Sequence, residues 1–150
     1  MKEHQLVIRD YDADRDLKAL SQIWFDASLE AHHFLGKPRI AEQRALIETV
    51  YLPNAKTYVA DLSGTQLGFI SLLDSFIGGL FVSPKAQGKG IGKALILRAQ
   101  EEKGDLSVGV YADNQRAYQF YRHMGFINGE RREHDDEGLP FPVLTMHLKA

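Results

Sequence analysis

The stretch that decides the fold runs Leu80-Phe81-Val82-Ser83-Pro84-Lys85-Ala86-Gln87-Gly88-Lys89-Gly90-Ile91-Gly92-Lys93. Its apolar, β-prone start ends at a Ser-Pro pair, and a glycine-rich turn then leads into a segment whose apolar positions recur at helical spacing. A loop between a strand and a helix start collects free backbone N–H groups at the positive end of the helix, where a phosphate can bind. The stretch therefore predicts an α/β fold with an anion-binding loop at residues 87–93.

The positions of the glycines separate three kinds of phosphate loop. A Walker A loop ending at Lys93 needs glycine where Gln87 stands and Ser or Thr where Ala94 stands, so this kind of loop is excluded. A dinucleotide-binding fingerprint lacks its third glycine in either register that the sequence allows. The pattern that fits is Q/R-x-x-G-x-G/A, formed by Gln87, Gly90 and Gly92.

This pattern resembles the pyrophosphate-binding motif of the GCN5-related N-acetyltransferase (GNAT) family. The run Leu80–Pro84 before the loop resembles the fourth strand of that family. Residues 114–126 resemble its second signature, in which an Asn is followed by a helix that ends F-Y-x-x-x-G-F. Because both signatures occur in order and at normal spacing, the chain is identified as a member of this family.

The rest of the chain alternates between helical and extended segments without a linker or a repeat. Hydrophobic spacing predicts a short strand around Leu6 and Ile8, then a helix from about Asp14 to Leu29. Asp14 and Asp16 offer this helix an N-cap and a favourable first-turn charge. The later segments are predicted as a helix at 38–51, strands at 57–62, 66–73, 76–82 and 106–111, helices at 91–104 and 114–125, and a terminal hairpin of 126–132 with 142–148. This order resembles that of the family, which implies one domain over residues 1–150 with a mixed, mostly antiparallel central sheet flanked by helices.

The composition is that of an ordinary folded domain. The 150 residues are 44% hydrophobic and 25% charged, so a packed core is expected. The 18 basic and 20 acidic residues give a net charge of −2, which supplies no field for holding a nucleic acid, and no nucleic acid partner is expected. The absence of cysteine excludes disulfides, thiolate metal ligands and cysteine nucleophiles.

Neither a signal segment nor a membrane span is expected. Met1–His4 is charged and no apolar segment follows it. The most apolar stretch, Leu67–Val82, is interrupted by Asp74 and is shorter than the ~20 residues of a spanning helix. These features predict a cytoplasmic protein, and they leave open whether it is a monomer or a homodimer.

The resemblance implies acetyl-CoA as the co-substrate and indicates the residues that hold it. Backbone N–H groups of the loop would meet the pyrophosphate, and its glycines would permit a close approach. In family members the pantetheine arm pairs with backbone groups of the fourth strand, and the Asn of the second signature contacts the same arm. The implied binding residues are Leu80, Val82, Gln87, Gly88, Lys89, Gly90, Ile91, Gly92, Lys93 and Asn114.

The catalytic residues are less completely indicated. Tyr121 matches the family's helix tyrosine, which commonly gives a proton to the departing thiolate, although packing in an apolar stripe is the alternative role. The usual base, a glutamate early in the fourth strand, is absent from Phe76–Gly79. We expect His32 or His33 to relay a proton, with His134 or a route through water alone as alternatives. No metal site is predicted, because adjacent histidines diverge on a helix and no acidic partner is close in sequence.

The resemblance therefore implies an N-acetyltransferase that moves an acetyl group from acetyl-CoA directly to a primary amine. The acceptor stays open between a small molecule, a protein lysine and a protein N-terminus, because fold does not determine it. A catalytically inactive acyl-CoA-binding module is the alternative function. The acidic stretch 135–137 is expected to be a solvated hairpin tip, with attraction of a cationic amine toward the cleft as the alternative.

Overall fold

A seven-stranded sheet forms the centre of the molecule in a computed structural model, which describes residues 5–150. Its strands are β1 (Leu6–Asp10), β2 (Lys56–Leu62), β3 (Thr65–Leu73), β4 (Phe76–Val82), β5 (Leu106–Tyr111), β6 (Ile127–Arg132) and β7 (Val143–Leu148). The strand order is β1-β2-β3-β4-β5-β7-β6, and each neighbouring pair is antiparallel except β4 and β5. The predicted mixed, mostly antiparallel sheet is therefore confirmed. Met1–His4, on which the expectation of no signal segment rests, lies outside the described residues.

Helices pack on both faces of this sheet. They are α1 (Ala13–Ala31), α2 (Lys37–Leu46), α3 (Leu52–Asn54), α4 (Ile91–Lys103) and α5 (Gln115–His123), with short 3-10 turns at His33–Leu35 and Pro84–Ala86. A π-helical turn, Ile47–Tyr51, joins α2 to α3. The second predicted helix is therefore one helical path whose C-terminal half is widened by this turn.

The two faces of the sheet carry separate cores because neighbouring strand residues point to opposite faces. In β2, Tyr58 and Ala60 belong to the core under α4 and α5, while Val59 between them belongs to the core under α1 and α2. Trp24 of α1 lies in the second core and is 5% exposed.

The start of α1 differs from the prediction. Its N-cap is Asp12, which accepts a hydrogen bond from the N–H of Asp14 at 3.1 Å, so Asp14 is not the cap. Asp16 is fully buried and accepts hydrogen bonds from Arg9 at 2.8 and 2.9 Å and from Gln66 at 2.8 Å. Burial alone would raise the pKa of Asp16, but these hydrogen bonds lower it to about 2. Asp16 of α1 therefore forms an ion pair with Arg9 of β1 and a hydrogen bond with Gln66 of β3, and these contacts connect the helix to both strands.

Candidate active site

The parallel strands β4 and β5 separate after a short region of pairing. Only Phe76 with Ser107 and Ile77 with Val108 are paired, so the two strands diverge beyond Ile77. The remainder of β4, residues 79–82, stays paired with β3 and has an open edge on the other side. This opening lies in the middle of the sheet, where an extended ligand could add to the edge of β4.

The register of β4 decides which backbone groups face this opening. The N–H of Ser83 bonds to the carbonyl of Leu67 at 2.8 Å, and hydrogen-bonded pairs alternate along an antiparallel ladder. Phe81 therefore directs its N–H and C=O groups toward β3, and Leu80 and Val82 direct theirs to the open edge. The carbonyl of Val82 also accepts a 3.3 Å hydrogen bond from Nε2 of Gln87, which joins the strand to the glycine loop.

The glycine loop leaves space for a ligand over its backbone. Gly88 and Gly90 have φ angles of +79° and +81°, and a Cβ built on either would meet no atom within 4 Å. The first helical bond of α4 runs from the N–H of Ala94 to the carbonyl of Gly90. The N–H groups of residues 91–93 in the first turn of α4 have no carbonyl within the helix to which they can donate. Free N–H donors at a helix start fit a pyrophosphate, and the exposed Lys89 and Lys93 add positive charge beside them.

Gly92 has a different environment from the other two glycines of the motif. A Cβ at this position would lie 3.0 Å from Cζ of Phe120, so the missing side chain lets the Phe120 ring of α5 pack against the first turn of α4. The small size of Gly92 therefore allows α4 and α5 to pack closely beside the loop.

Tyr121 lies on α5 in the core behind the opening. Its ring makes edge contacts with Phe120 and Phe126 at centroid distances of 5.1 Å, and it shares a core cluster with Val108 and Val110 of β5. Burial raises its pKa, so the phenol keeps its proton at neutral pH. No hydrogen bond joins its hydroxyl to another residue within the described part of the chain. The packing role and the proton-donor role are thus compatible in one side chain.

Asn114 and His32 meet where α1 ends and α5 begins. Asn114 is the N-cap of α5, and its Oδ1 accepts the N–H of Ala117 at 3.1 Å. Its Nδ2 lies 3.3 Å from Nε2 of His32, the residue that caps the C-terminus of α1. Burial lowers the pKa of His32 to about 4, so its imidazole is neutral at pH 7. His33 is exposed, and no hydrogen bond to its ring is found among residues 5–150.

The turn between β6 and β7 contains a buried acid that sequence reasoning missed. Asp135 is 5% exposed, accepts the hydroxyl of Tyr111 at 2.9 Å, and accepts the backbone N–H groups of Glu137 and Leu139 at 3.0 and 2.9 Å. The expectation of a fully solvated tip is therefore wrong for Asp135, although it holds for the exposed Asp136. Residues 135–137 are acidic in sequence, and nothing in that pattern indicates which carboxylate Tyr111 will reach from the end of β5.

The same turn is also tied to α2 on the opposite side. Glu137 forms an ion pair with Arg39 and accepts a 2.6 Å hydrogen bond from Gln43. Phe34 contacts the rings of Tyr111 and Phe141, each at a centroid distance of 5.2 Å. The turn after α1 and the turn between β6 and β7 therefore enclose the end of β5 from two sides, whereas His134 is exposed and does not join this group.

Neither a cluster of metal ligands nor a membrane-spanning helix is found in the described part of the chain. Within residues 5–150, no group of three or more His, Asp or Glu side chains is arranged to hold a metal ion. Over the same residues, the structure contains no helix with the length and apolar character needed to span a bilayer.

Comparisons with known proteins agree with this arrangement. Residues 53–128 match the acetyltransferase (GNAT) domain family. The peptidyl-lysine N-acetyltransferase YiaC of Escherichia coli is 33% identical over 131 residues, which cover 87% of this chain and 90% of that protein. The solution structure of apo YjaB from Escherichia coli superimposes with a TM-score of 0.87 at 29% identity, covering 97% of this chain and 99% of that one.

A more distant structure shows the same fold. It is yncA of Salmonella typhimurium, described as a putative acetyltransferase with its cofactor acetyl-CoA, with a TM-score of 0.70 at 21% identity over 96% of this chain and 93% of that one. The family match, the similarity to YiaC and the open edge of β4 lead to one conclusion. This chain belongs to the GNAT family and is an acetyl-CoA-dependent N-acetyltransferase.

Proposed function

We propose that the acceptor of this N-acetyltransferase is the ε-amine of a lysine in a protein or peptide. The observation that carries the proposal is the similarity to YiaC, whose name gives peptidyl-lysine as its acceptor, over 87% of this chain. We also propose that residues 1–150 act as one catalytic domain, and that the reaction takes place in the cytoplasm.

The binding residues are assigned from the geometry of the opening. Acetyl-CoA supplies a thioester carbonyl that an amine can attack. The N–H groups of residues 88–93 would hold its pyrophosphate, and the side chains of Lys89 and Lys93 would stabilise that charge. The backbone groups of Leu80 and Val82 on the open edge of β4 would bind the amides of the pantetheine arm. Gln87, which bonds to Val82, would hold the loop against that edge.

The proton transfers are assigned to residues at the two ends of this opening. Tyr121 keeps a proton on a hydroxyl without a partner among the described residues, and this proton can pass to the sulfur as its bond to the carbonyl carbon breaks. The attacking amine must lose one proton as its nitrogen bonds to that carbon. For this proton the relay through His32 or His33 stays a prediction. His33 is the exposed member of the pair, and its ring is open to water.

The acceptor is tested with three matched substrates. The first is a peptide with a blocked N-terminus and a single lysine, the second carries arginine in place of that lysine, and the third lacks lysine but has a free N-terminus. Thiol release and the mass of each peptide are measured with acetyl-CoA present. We expect acetylation of the lysine peptide and none of the arginine peptide.

Two other outcomes would contradict parts of the proposal. Acetylation of the free N-terminus alone, or of a small polyamine added as a fourth substrate, would replace the lysine acceptor and keep the acetyltransferase activity. Binding of acetyl-CoA without thiol release for any of a broad panel of amines would instead support the inactive acyl-CoA-binding alternative.

A further inference from the structure

The contact between His32 and Asn114 joins the end of α1 to α5, the helix that carries Tyr121. His32 lies directly after α1, and its backbone N–H bonds to the carbonyl of Ser28 at 2.8 Å. Asn114 lies directly before α5, two turns from Tyr121. The distance between Nε2 of His32 and Nδ2 of Asn114 is 3.3 Å, within the range of a hydrogen bond.

The direction of this hydrogen bond follows from the other contact of the carboxamide. Oδ1 of Asn114 accepts the N–H of Ala117 at 3.1 Å, so the opposite end of the amide is its NH2 group. An amide nitrogen can only donate, and Nε2 of His32 must therefore accept. A neutral imidazole that accepts at Nε2 carries its proton on Nδ1. The contact thus defines both the charge and the tautomer of His32.

The surroundings of the ring favour the same neutral form. The rings of Phe34 and Tyr111 lie edge-on to His32 at centroid distances of 5.9 and 5.1 Å. The Tyr111 hydroxyl is engaged with Asp135, as described above, and the nearby charges on α1 and α5 form their own ion pair, Arg116 with Glu30 at 3.4 Å. His33 points to solvent at the adjacent position. Burial without an acidic partner lowers the pKa of His32, which agrees with a neutral ring.

We propose that His32 is a positioning residue, whose Nε2 accepts a hydrogen bond from Asn114 and so holds the carboxamide and the first turn of α5 against the end of α1. The proposal rests on the proposed function, in which Tyr121 provides the proton, and on the contact of Asn114 with the pantetheine arm that the family resemblance implies. The lone pair of Nε2 is occupied by Asn114, and Nδ1 carries a proton. His32 therefore has no free basic nitrogen for the attacking amine, and the base role predicted for it passes to His33 or to water.

Two substitutions separate the positioning role from a base role. In His32→Gln, the side-chain oxygen can reach the position of Nε2 and accept from Asn114, whereas His32→Leu keeps the bulk and has no acceptor. We expect the Gln variant to retain more of the kcat/KM for acetyl-CoA than the Leu variant, because only Gln restores the acceptor for Asn114. The Leu variant should lose roughly 3- to 10-fold in kcat/KM for acetyl-CoA, the effect of one lost hydrogen bond.

Loss of a base would give a different result, because neither substituent can take a proton. Both variants would then lose kcat by about 100-fold or more, together with the acidic limb of the pH–rate profile. That outcome would overturn the proposal. Thermal unfolding of each variant shows whether it is folded at the assay temperature.

A spectroscopic measurement tests the hydrogen bond without any activity. Long-range proton–nitrogen NMR of the protein labelled with ¹⁵N-histidine reports the tautomer of each of its six rings, and the signal missing in His32→Gln identifies His32. We expect His32 to carry its proton on Nδ1 from pH 8 to pH 5. In Asn114→Asp the cap can persist while a carboxylate oxygen faces Nε2, so this nitrogen should become protonated and the pKa of His32 should rise.

A proton on Nε2 of His32 in the wild-type protein would overturn the proposal outright. If the wild type shows the expected tautomer but transfers no acetyl group, the proposed function fails while the hydrogen bond stands. The two failures are therefore distinguishable.

Discussion

Tyr121 is the residue on which the chemical step depends most in this account. Tyr121→Phe keeps the ring between Phe120 and Phe126 and removes only the hydroxyl, so the fold should persist. We expect kcat to fall by ~100- to 10,000-fold, the usual effect of losing a general acid, with little change in the affinity for acetyl-CoA. Steady-state kinetics with the best acceptor and calorimetry with acetyl-CoA measure the two quantities.

The kcat values of Tyr121→Phe and wild type report on proton donation when the chemical step limits the rate, which single-turnover kinetics can establish. Under that condition, a kcat for Tyr121→Phe within threefold of wild type would assign Tyr121 to packing alone. Tyr118→Phe is the matched control, because its hydroxyl bonds to Asn128 on β6 and should not affect the rate.

Single residues were predictable from the sequence where a motif or a cap marks them. Asn114 as a helix cap and Tyr121 as a buried helix residue follow from short-range patterns. Asp135 was not predictable, because its burial depends on Tyr111, which lies 24 residues earlier in the chain. The neutral state of His32 was hidden for the same reason, since its partner Asn114 is 82 residues away.

At the scale of single elements, the glycine loop offers a matched test of ligand binding. We expect Gly90→Val to abolish acetyl-CoA binding, because its side chain would fill the open space above the loop. Gly64→Val in the turn between β2 and β3 is the control, since Gly64 has a φ of +90° and is equally open. Both variants should lose ~1–2 kcal/mol of stability from the left-handed backbone, and only the first should lose binding.

Calorimetry with acetyl-CoA and thermal unfolding give the two quantities for each variant. Unchanged affinity in a folded Gly90→Val protein would remove the loop from the binding site. Equal loss of affinity in both variants would show that strain, and not contact with the ligand, is responsible.

Most elements were predictable because their hydrophobic spacing and their caps agree. The bounds of β4 and the end of α4 before Gly104 match the expectation. The cap of α1 was predicted at the wrong aspartate, because three aspartates at alternate positions, Asp12, Asp14 and Asp16, can each cap a helix by sequence alone. That Asp16 is the buried one depends on the long-range partner Gln66 and on Arg9 of the neighbouring strand. The π-helical turn at Ile47–Tyr51 has no sequence signal that spacing alone reveals.

At the scale of the whole molecule, Asp16 and Arg9 connect α1 to the sheet. We expect Asp16→Asn to lower folding stability at pH 7, by less than the ~3–5 kcal/mol of a buried charge left unpaired, because Arg9 loses its bonds to Asp16 but keeps the one to Asp61. The pKa of Asp16 is lowered on folding, so the ion pair contributes fully above about pH 4 and its contribution is lost as the pH falls toward about 2. The free energy of unfolding of Asp16→Asn should therefore fall less than that of wild type as the pH is lowered.

Urea unfolding at pH 7 and at pH 3 measures both effects. Asp14→Asn is the control, because Asp14 is exposed in the first turn of the same helix. Equal stability of Asp16→Asn and wild type at pH 7 would contradict the role given to the ion pair.

The fold as a whole was predictable because two family signatures lie on neighbouring units of one sheet. The strand, loop and helix around Gly90 and the helix that starts at Asn114 both adjoin the opening between β4 and β5. The packing of the two turns around the end of β5 was not predictable, since it depends on long-range contacts such as Arg39 with Glu137. The donor was therefore indicated by local sequence, and the acceptor was not.

The central claim is that this chain transfers acetyl groups from acetyl-CoA to lysine side chains. The most direct test counts products of the wild-type enzyme with the single-lysine peptide, with free thiol and acetyl-lysine measured in the same reaction. Transfer to lysine predicts one acetyl-lysine for each thiol released, and no acetylation of the arginine peptide. Thiol release without acetyl-lysine, or acetyl-CoA binding without either product, would contradict the claim.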